Sequence, residues 1–173
     1  LEQYKDVSGF EGSFTQQQIL SLKDEQVFTV TTGQQLHPFL GPVMVANKIE
    51  RAIEISKEKS LTAKVVPVFW MASEDHDFEE INHINLFNSK FEVEADGQDN
   101  FIAGKIKATN FDSLETEVLS KFSDENLKSK VKSYLARYNN SNLAQATRSL
   151  LNELFGEYGL VIIDGDDKNL KQL

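Results

Sequence analysis

The densest chemistry in this sequence lies between Val65 and His83, where an apolar run, Val65-Val66-Pro67-Val68-Phe69-Trp70-Met71-Ala72, discharges into Glu74-Asp75-His76-Asp77. A buried strand would fix the backbone there, and the loop would carry the reactive groups. His76 could act as a general acid or base, or donate to developing negative charge, with Asp75 or Asp77 orienting its ring and fixing its tautomer. Helix capping is the plainer reading, with Ser73 or Asp77 as the cap and Glu79 and Glu80 in a first turn. Capping accounts for the acids but not for a histidine among them, and a catalytic cluster of Glu74, Asp75, His76 and Asp77 is the stronger expectation. A metal site built from Glu74, His76, Asp77 and His83 has suitable donor types. It lacks a His-Glu-x-x-His motif, so no tightly bound metal is expected. His83 alone reads as structural.

A second group is polar and carries no net acid. Thr32-Gly33-Gln34-Gln35 follows a β-branched and aromatic run, Val27–Thr31, and reads as a loop in which Gly33 permits close backbone approach. Gln34 and Gln35 each offer amide donors and an acceptor. The helix expected to open at Gly41-Pro42 aims its positive end at the same region, a seat for a carboxylate or phosphate. Lys48 could reach such an anion from the first turns. Asp164, after the apolar run Leu160–Ile163, is the acid to watch in its loop. His37 precedes Pro38 and is extended for that reason, with no role expected. Trp70 is expected to pack at the strand end.

These groups need elements to position them. A short helix is expected around Phe14–Leu22, strands at Val27–Thr31, Lys64–Trp70 and Leu160–Ile163, and a helix from Pro42 to about Lys57 with Val45, Ile49, Ala52 and Ile53 on one face. A loop or short helix carries 73–83. Phe91–Ala95 and Phe101–Lys107 flank Asp96-Gly97-Gln98-Asp99-Asn100 and predict a hairpin. Three helices follow, marked by Leu114 to Phe122, Leu127 to Leu135 and Leu143 to Leu154, the last ending near Gly156. The order favours an α/β fold with a mostly parallel sheet flanked by helices. The loops after Thr31, Trp70 and Ile163 should then open on one rim, where open α/β sheets bind ligands.

The totals narrow the classes. With 173 residues, 40% hydrophobic and 26% charged, the chain suits one globular domain over 1–173. A net charge of -9 argues against nucleic-acid or membrane partners. Without cysteine, disulfides, thiolate metal sites and cysteine nucleophiles are excluded. No signal-peptide core or spanning run is evident, which leaves a cytoplasmic location as the expectation. The chain opens on Leu1 and stops soon after its last strand, so it reads as the N-terminal part of something larger.

Three blocks together resemble the cysteine-adding enzymes of bacillithiol biosynthesis. They are Thr32-Gly33-Gln34-Gln35 with Phe39, Gly41-Pro42 and Lys48; Pro67–Trp70 with Glu74–His83; and Leu154-Phe155, Tyr158-Gly159-Leu160 with Asp164 and Asp166-Asp167. The resemblance implies a Rossmann-like core akin to nucleotidyltransferases, incomplete here, with the core's remainder and a coiled coil further along. It implies a cysteine ligase that joins cysteine to glucosaminyl-malate, with ATP or ADP and magnesium as the expected activating cofactor and a homodimer of the full-length protein. Carried onto this chain, His76 would be the acid/base or electrostatic stabiliser, and Gly33 with Gln34 would hold a carboxylate or phosphate. The chain departs from the family pattern at His37, where glycine is usual, and near Met44 and Asn47, where aromatic residues are. The fragment alone is expected to be inactive. Two other classes stay open on the residues: a metal-dependent hydrolase or transferase, and a non-catalytic nucleotide- or carboxylate-binding module.

Overall fold

A computed structural model describes residues 1–95, 102–139 and 141–172. Its contacts cluster into two compact units, one formed by 1–34, 43–72 and 151–173, the other by 35–42 and 73–150.

The first unit is built on a three-stranded sheet of β1 (Phe28–Gln35), β2 (Val65–Ala72) and β5 (Val161–Asp164) in the order β1-β2-β5. β5 runs parallel to β2, with Trp70 opposite Ile163 and Met71 opposite Asp164. β1 advances with β2 as well, since Phe28 N–H donates to the Lys64 carbonyl and Gly33 lies against Trp70. β2 is central and buried from Val65 to Phe69, which is why its sequence is continuously apolar rather than alternating. Helix α1 (Phe14–Ser21), capped by Ser13 Oγ accepting from Gln16 N–H at 3.1 Å, precedes Leu22 in the chain. Ile19 and Leu22 cover Val66, Val68 and Val161. Helix α2 (Met44–Lys59) packs on β2 through Val45, Ile49, Ala52 and Ile53. Val43 already has helical backbone angles, so Pro42 stands just before the first turn. Each large side chain fully buried here, Phe69 or Met71 for example, stabilises by about 1.5–3 kcal/mol relative to exposure.

The outer edge of β5 is closed by the N-terminus. Tyr4 Oη accepts from Ile162 N–H at 2.6 Å, and Gln3 Oε1 accepts from Asp164 N–H at 2.9 Å. The approach to β5 turns at Gly159, whose φ of 77° and missing side chain let Phe14 sit where a Cβ would be, 2.7 Å away. Gly156 stands directly after the helix that ends at Phe155, as expected, and opens the 3₁₀ turn that leads to Gly159.

The second unit holds β3 (His83–Leu86) and β4 (Ser89–Glu92), an antiparallel pair. Around it lie α3 (Phe78–Ile81), α4 (Phe111–Leu119), α5 (Glu125–Leu135) and the first part of α6 (Leu143–Phe155). The hairpin turn falls at Phe87 and Asn88, both with positive φ (49° and 62°), as a two-residue type I′ turn requires. This corrects the expected hairpin. Phe91 pairs back to Ile84, and the proposed second arm over Phe101–Lys107 is no strand where it is described: Ala103–Lys105 forms a 3₁₀ turn. The reason is that its amides are used elsewhere. Ala103 N–H donates to the Asp75 carbonyl at 2.8 Å and Gly104 N–H to the Ser73 carbonyl at 2.9 Å. A Cβ on Gly104 would lie 2.7 Å from Ser73 Cβ, so only glycine permits that approach. Residues 96–101, where the expected turn fell, lie outside the described residues.

Among the described residues no helix is long and apolar enough to cross a membrane.

Candidate functional site

The Thr32–Gln35 segment is not the loop expected: all four residues continue β1 to its end. Gly33 is needed there because a Cβ would stand 3.0 Å from the Trp70 carbonyl oxygen and 3.2 Å from Trp70 Cβ. With all three strands parallel, β1, β2 and β5 end on one side of the sheet. In the first unit this end carries half-buried Thr32, Gly33 and Gln34, partly exposed Trp70, and half-buried Asp164. Lys48, exposed on α2, donates to Gln34 Oε1 at 3.0 Å. That bond fixes the Gln34 amide: its oxygen faces the ammonium, and its two N–H donors are left to face a ligand. Asp164 Oδ1 accepts from Asp166 N–H at 3.1 Å, which shapes the turn after β5.

In the second unit the chain leaves β2 at Ser73, which is fully buried, and enters the acidic loop. Asp75 organises it. Its Oδ1 accepts from the main-chain N–H of His76 at 2.7 Å and of Asp77 at 3.2 Å, and its Oδ2 accepts from Gln35 Nε2 at 2.7 Å. Those bonds, led by the one from Gln35, hold the Asp75 carboxyl below the usual carboxylate range. Asp77 caps α3 by accepting from Glu80 N–H at 3.4 Å. The bonds from both aspartates to His76 and its neighbours thus go to backbone, and they shape the loop that presents the exposed His76 side chain. Capping and the presentation of an exposed histidine coexist in one segment.

Two features were not legible beforehand. Glu74 Oε2 is shielded from water and has no hydrogen-bond partner among the described residues. A shielded carboxylate oxygen without a donor is costly. The other is a polar network behind the loop. Gln35 Nε2 reaches Glu80 Oε2 at 3.1 Å as well as Asp75, so both amide hydrogens go to carboxylates and only Gln35 Oε1 faces outward as an acceptor. His37, extended before Pro38 as expected, lies within the fields of His83 and Glu80. Burial first, then His83, depress its pKa, against the pull of Glu80. All three histidines of the chain, His37, His76 and His83, fall in this unit. That shared location was a signal available in principle, but only the packing of the Pro38–Leu40 turn on β3 makes it visible. Among the described residues, no three histidine or carboxylate side chains are grouped so as to hold a metal ion. The four-ligand set of Glu74, His76, Asp77 and His83 is not assembled.

A parallel sheet flanked by helices, with its polar residues at the strands' carboxyl ends, defines a Rossmann-like α/β domain. The family model described as "Bacillithiol biosynthesis BshC, N-terminal Rossmann-like domain" matches residues 1–173, and the chain belongs to that family. It is 42% identical over 175 residues to a protein of Flavobacterium psychrophilum named "Putative cysteine ligase BshC", covering 97% of this chain and 32% of that protein. A protein of the same name from Flavobacterium johnsoniae is 42% identical over 163 residues, 91% of this chain and 30% of that one. One from Bacillus cytotoxicus is 30% identical over 172 residues, 94% and 32% respectively. The chain therefore spans about a third of the length of the curated relatives it matches.

Proposed function

We propose that the protein containing this chain is a cysteine ligase of bacillithiol biosynthesis, which forms an amide between the carboxyl of cysteine and the glucosamine amine of glucosaminyl-malate in the cytoplasm. Family membership supports the class, and the shielded Glu74 Oε2, without a partner among the described residues and two positions before His76, carries the chemistry. An amine nucleophile brings N–H donors, which that oxygen lacks. As the new C–N bond forms, the amine must lose a proton, and His76 accepts it as general base. Asp75 and Asp77 hold the loop that presents His76. Gln34, with its donors free and Lys48 beside it, binds a carboxylate or phosphate, and Thr32, Gly33 and Asp164 line the same end of the sheet.

An activating nucleotide, ATP or ADP with magnesium, would make the cysteine carboxyl electrophilic by placing a phosphate-linked leaving group on it, and that C–O bond would break as the C–N bond forms. Gln34 and Lys48 suit its phosphates, being a donor and a cation at the carboxyl end of a parallel sheet. Dimerisation and the remaining catalytic groups belong to the longer protein under this reading.

The test uses the full-length protein with isotope-labelled cysteine and glucosaminyl-malate, with and without ATP and magnesium, and follows thiol products by mass spectrometry. A labelled conjugate is expected, and His76→Ala should reduce its rate by about 10²–10⁴-fold. Full activity in His76→Ala would remove the general-base role. Folded wild-type protein that makes no conjugate under any of these conditions would overturn the ligase reading.

A further inference from the structure

The strap between β1 and α2 is held in a backbone its own residues disfavour. Phe39 (φ 52°) and Leu40 (φ 70°) are consecutive non-glycine residues in the left-handed region, followed by Gly41 (φ 64°). Side chains resist that region because Cβ crowds the backbone, so two in succession persist only when their surroundings over-determine them. Gly41 is obligatory, since a Cβ would stand 2.5 Å from His37 Cβ. Nothing comparable excuses Phe39 and Leu40 locally.

The excuse lies a hundred residues along the chain. Tyr138, only 4% exposed, accepts from Phe39 N–H at 3.0 Å through its Oη, and the Leu40 amide is a second backbone partner. The successive Phe39 and Leu40 amides share one acceptor position. The Tyr138 hydroxyl fills it. The Phe39 ring meets the Tyr138 ring edge-on, with centroids 4.7 Å apart. The strap's other end is anchored by Leu36, 1% exposed, and by His37 N–H donating to the Gln35 carbonyl at 3.1 Å. Gln35 in turn donates to Asp75, the residue that organises the His76 loop.

We propose that Tyr138 is a positioning residue for the candidate site: its hydroxyl stabilises the left-handed strap, and the strap holds Gln35 on Asp75 beneath the His76 loop. The effect on activity rests on the reading of that loop as catalytic; the coupling itself does not. Tyr138→Phe keeps the ring and removes the hydroxyl, which serves the Phe39 and Leu40 amides and also meets the Thr147 side chain.

The test compares hydrogen exchange by mass spectrometry in full-length wild type, Tyr138→Phe, Tyr138→Phe/Leu40→Gly and Tyr138→Phe/Leu40→Ala. Loss of the hydroxyl should raise exchange about tenfold over 36–41 and over 75–78, while β2 and α2 keep their protection. Glycine at 40 removes the left-handed penalty and should restore the 75–78 segment; alanine, which keeps the penalty, should not. Labelled-cysteine turnover should follow the same order, with kcat falling more than KM rises. Exchange raised in 36–41 but unchanged in 75–78 would overturn the proposal, as would a rescue by alanine equal to that by glycine. Coupled exchange in proteins that make no conjugate, wild type included, would leave the positioning intact and overturn the ligase reading instead.

Discussion

Gln34 and Gln35 are adjacent, share a side chain, and are put to opposite use. Gln34 turns its carbonyl oxygen to Lys48, so its amide hydrogens are what a ligand would meet. Gln35 commits its amide nitrogen to Asp75 and Glu80, so its carbonyl oxygen is what remains. The neighbours decide the orientation: a cation beside one glutamine, two carboxylates beside the other. An amide can be set either way, and its polarity toward a ligand is therefore a property of the surroundings rather than of the residue.

The same substitution at both positions breaks the comparison most sharply. Gln35→Glu removes donors from two carboxylates and adds a third negative charge beside them. It should destabilise the fold by about 2 kcal/mol at pH 7 and raise hydrogen exchange in the 75–78 loop. Gln34→Glu places a carboxylate against the exposed Lys48, and should leave thermal stability within about 0.5 kcal/mol. Its cost should fall on affinity, since a carboxylate would repel the anion that Gln34 is proposed to bind. Equal destabilisation by the two variants would mean the amide orientations do not differ in solution. Between these effects lies Gly33→Ala. Its methyl would press on the Trp70 carbonyl and Cβ, and about 1 kcal/mol of destabilisation is expected in denaturant titrations of the full-length protein.

The division between the two glutamines could not be read from the sequence, for a physical reason. Thr-Gly-Gln-Gln has weak strand propensity, and it reads as a loop because β1 is held there by its pairing to β2 rather than by its own side chains. The buried run of β2 and the one-sided face of α2 were legible because burial writes itself into composition and period. The Phe101–Lys107 error has the complementary cause: Gly104 and its neighbours follow alternation well enough, but their amides answer to Ser73 and Asp75, distant in sequence. For the candidate site, residue types at a strand end drew attention to Glu74–Asp77. They could not distinguish the aspartates that shape the loop from the histidine it presents. Tyr138 carries no sequence signal, because the role proposed for it comes from a backbone strain that only the fold reveals.

Asp75 gives the comparison a pH dependence. Its folded-state pKa lies below the ordinary aspartate value, so the unfolded chain binds a proton first as pH falls. Its contribution is complete above about pH 3.9 and is lost as pH drops through the depressed folded value. Asp75→Asn should flatten the acid limb of the stability profile in that window, and Gln35→Ala should partly do so, since Gln35 is the largest cause of the shift. Gln34→Ala, with no bond to Asp75, should leave that limb unchanged.

The smallest effect lies nearer neutrality and belongs to His37, beside the same network. Burial and His83 lower its folded pKa, and Glu80, which shares its charge with the Gln35 amide, opposes them. With the folded pKa below about 6.5, the unfolded chain takes up the proton earlier on descent. Stability from this group is complete above that pH, falls through the window beneath it, and levels off once the folded protein is protonated too. His37→Gln should remove this slope while leaving the Asp75 limb in place, since the His37 window opens just below about pH 6.5 and the Asp75 window only below about pH 3.9. Glu80→Gln provides the discriminating control. Without the carboxylate that favours the charged imidazole, the folded pKa of His37 should drop further and the slope between neutrality and pH 5 should steepen. A slope unchanged in Glu80→Gln would mean that Glu80 serves only Gln35, and that His37 answers to burial and His83 alone.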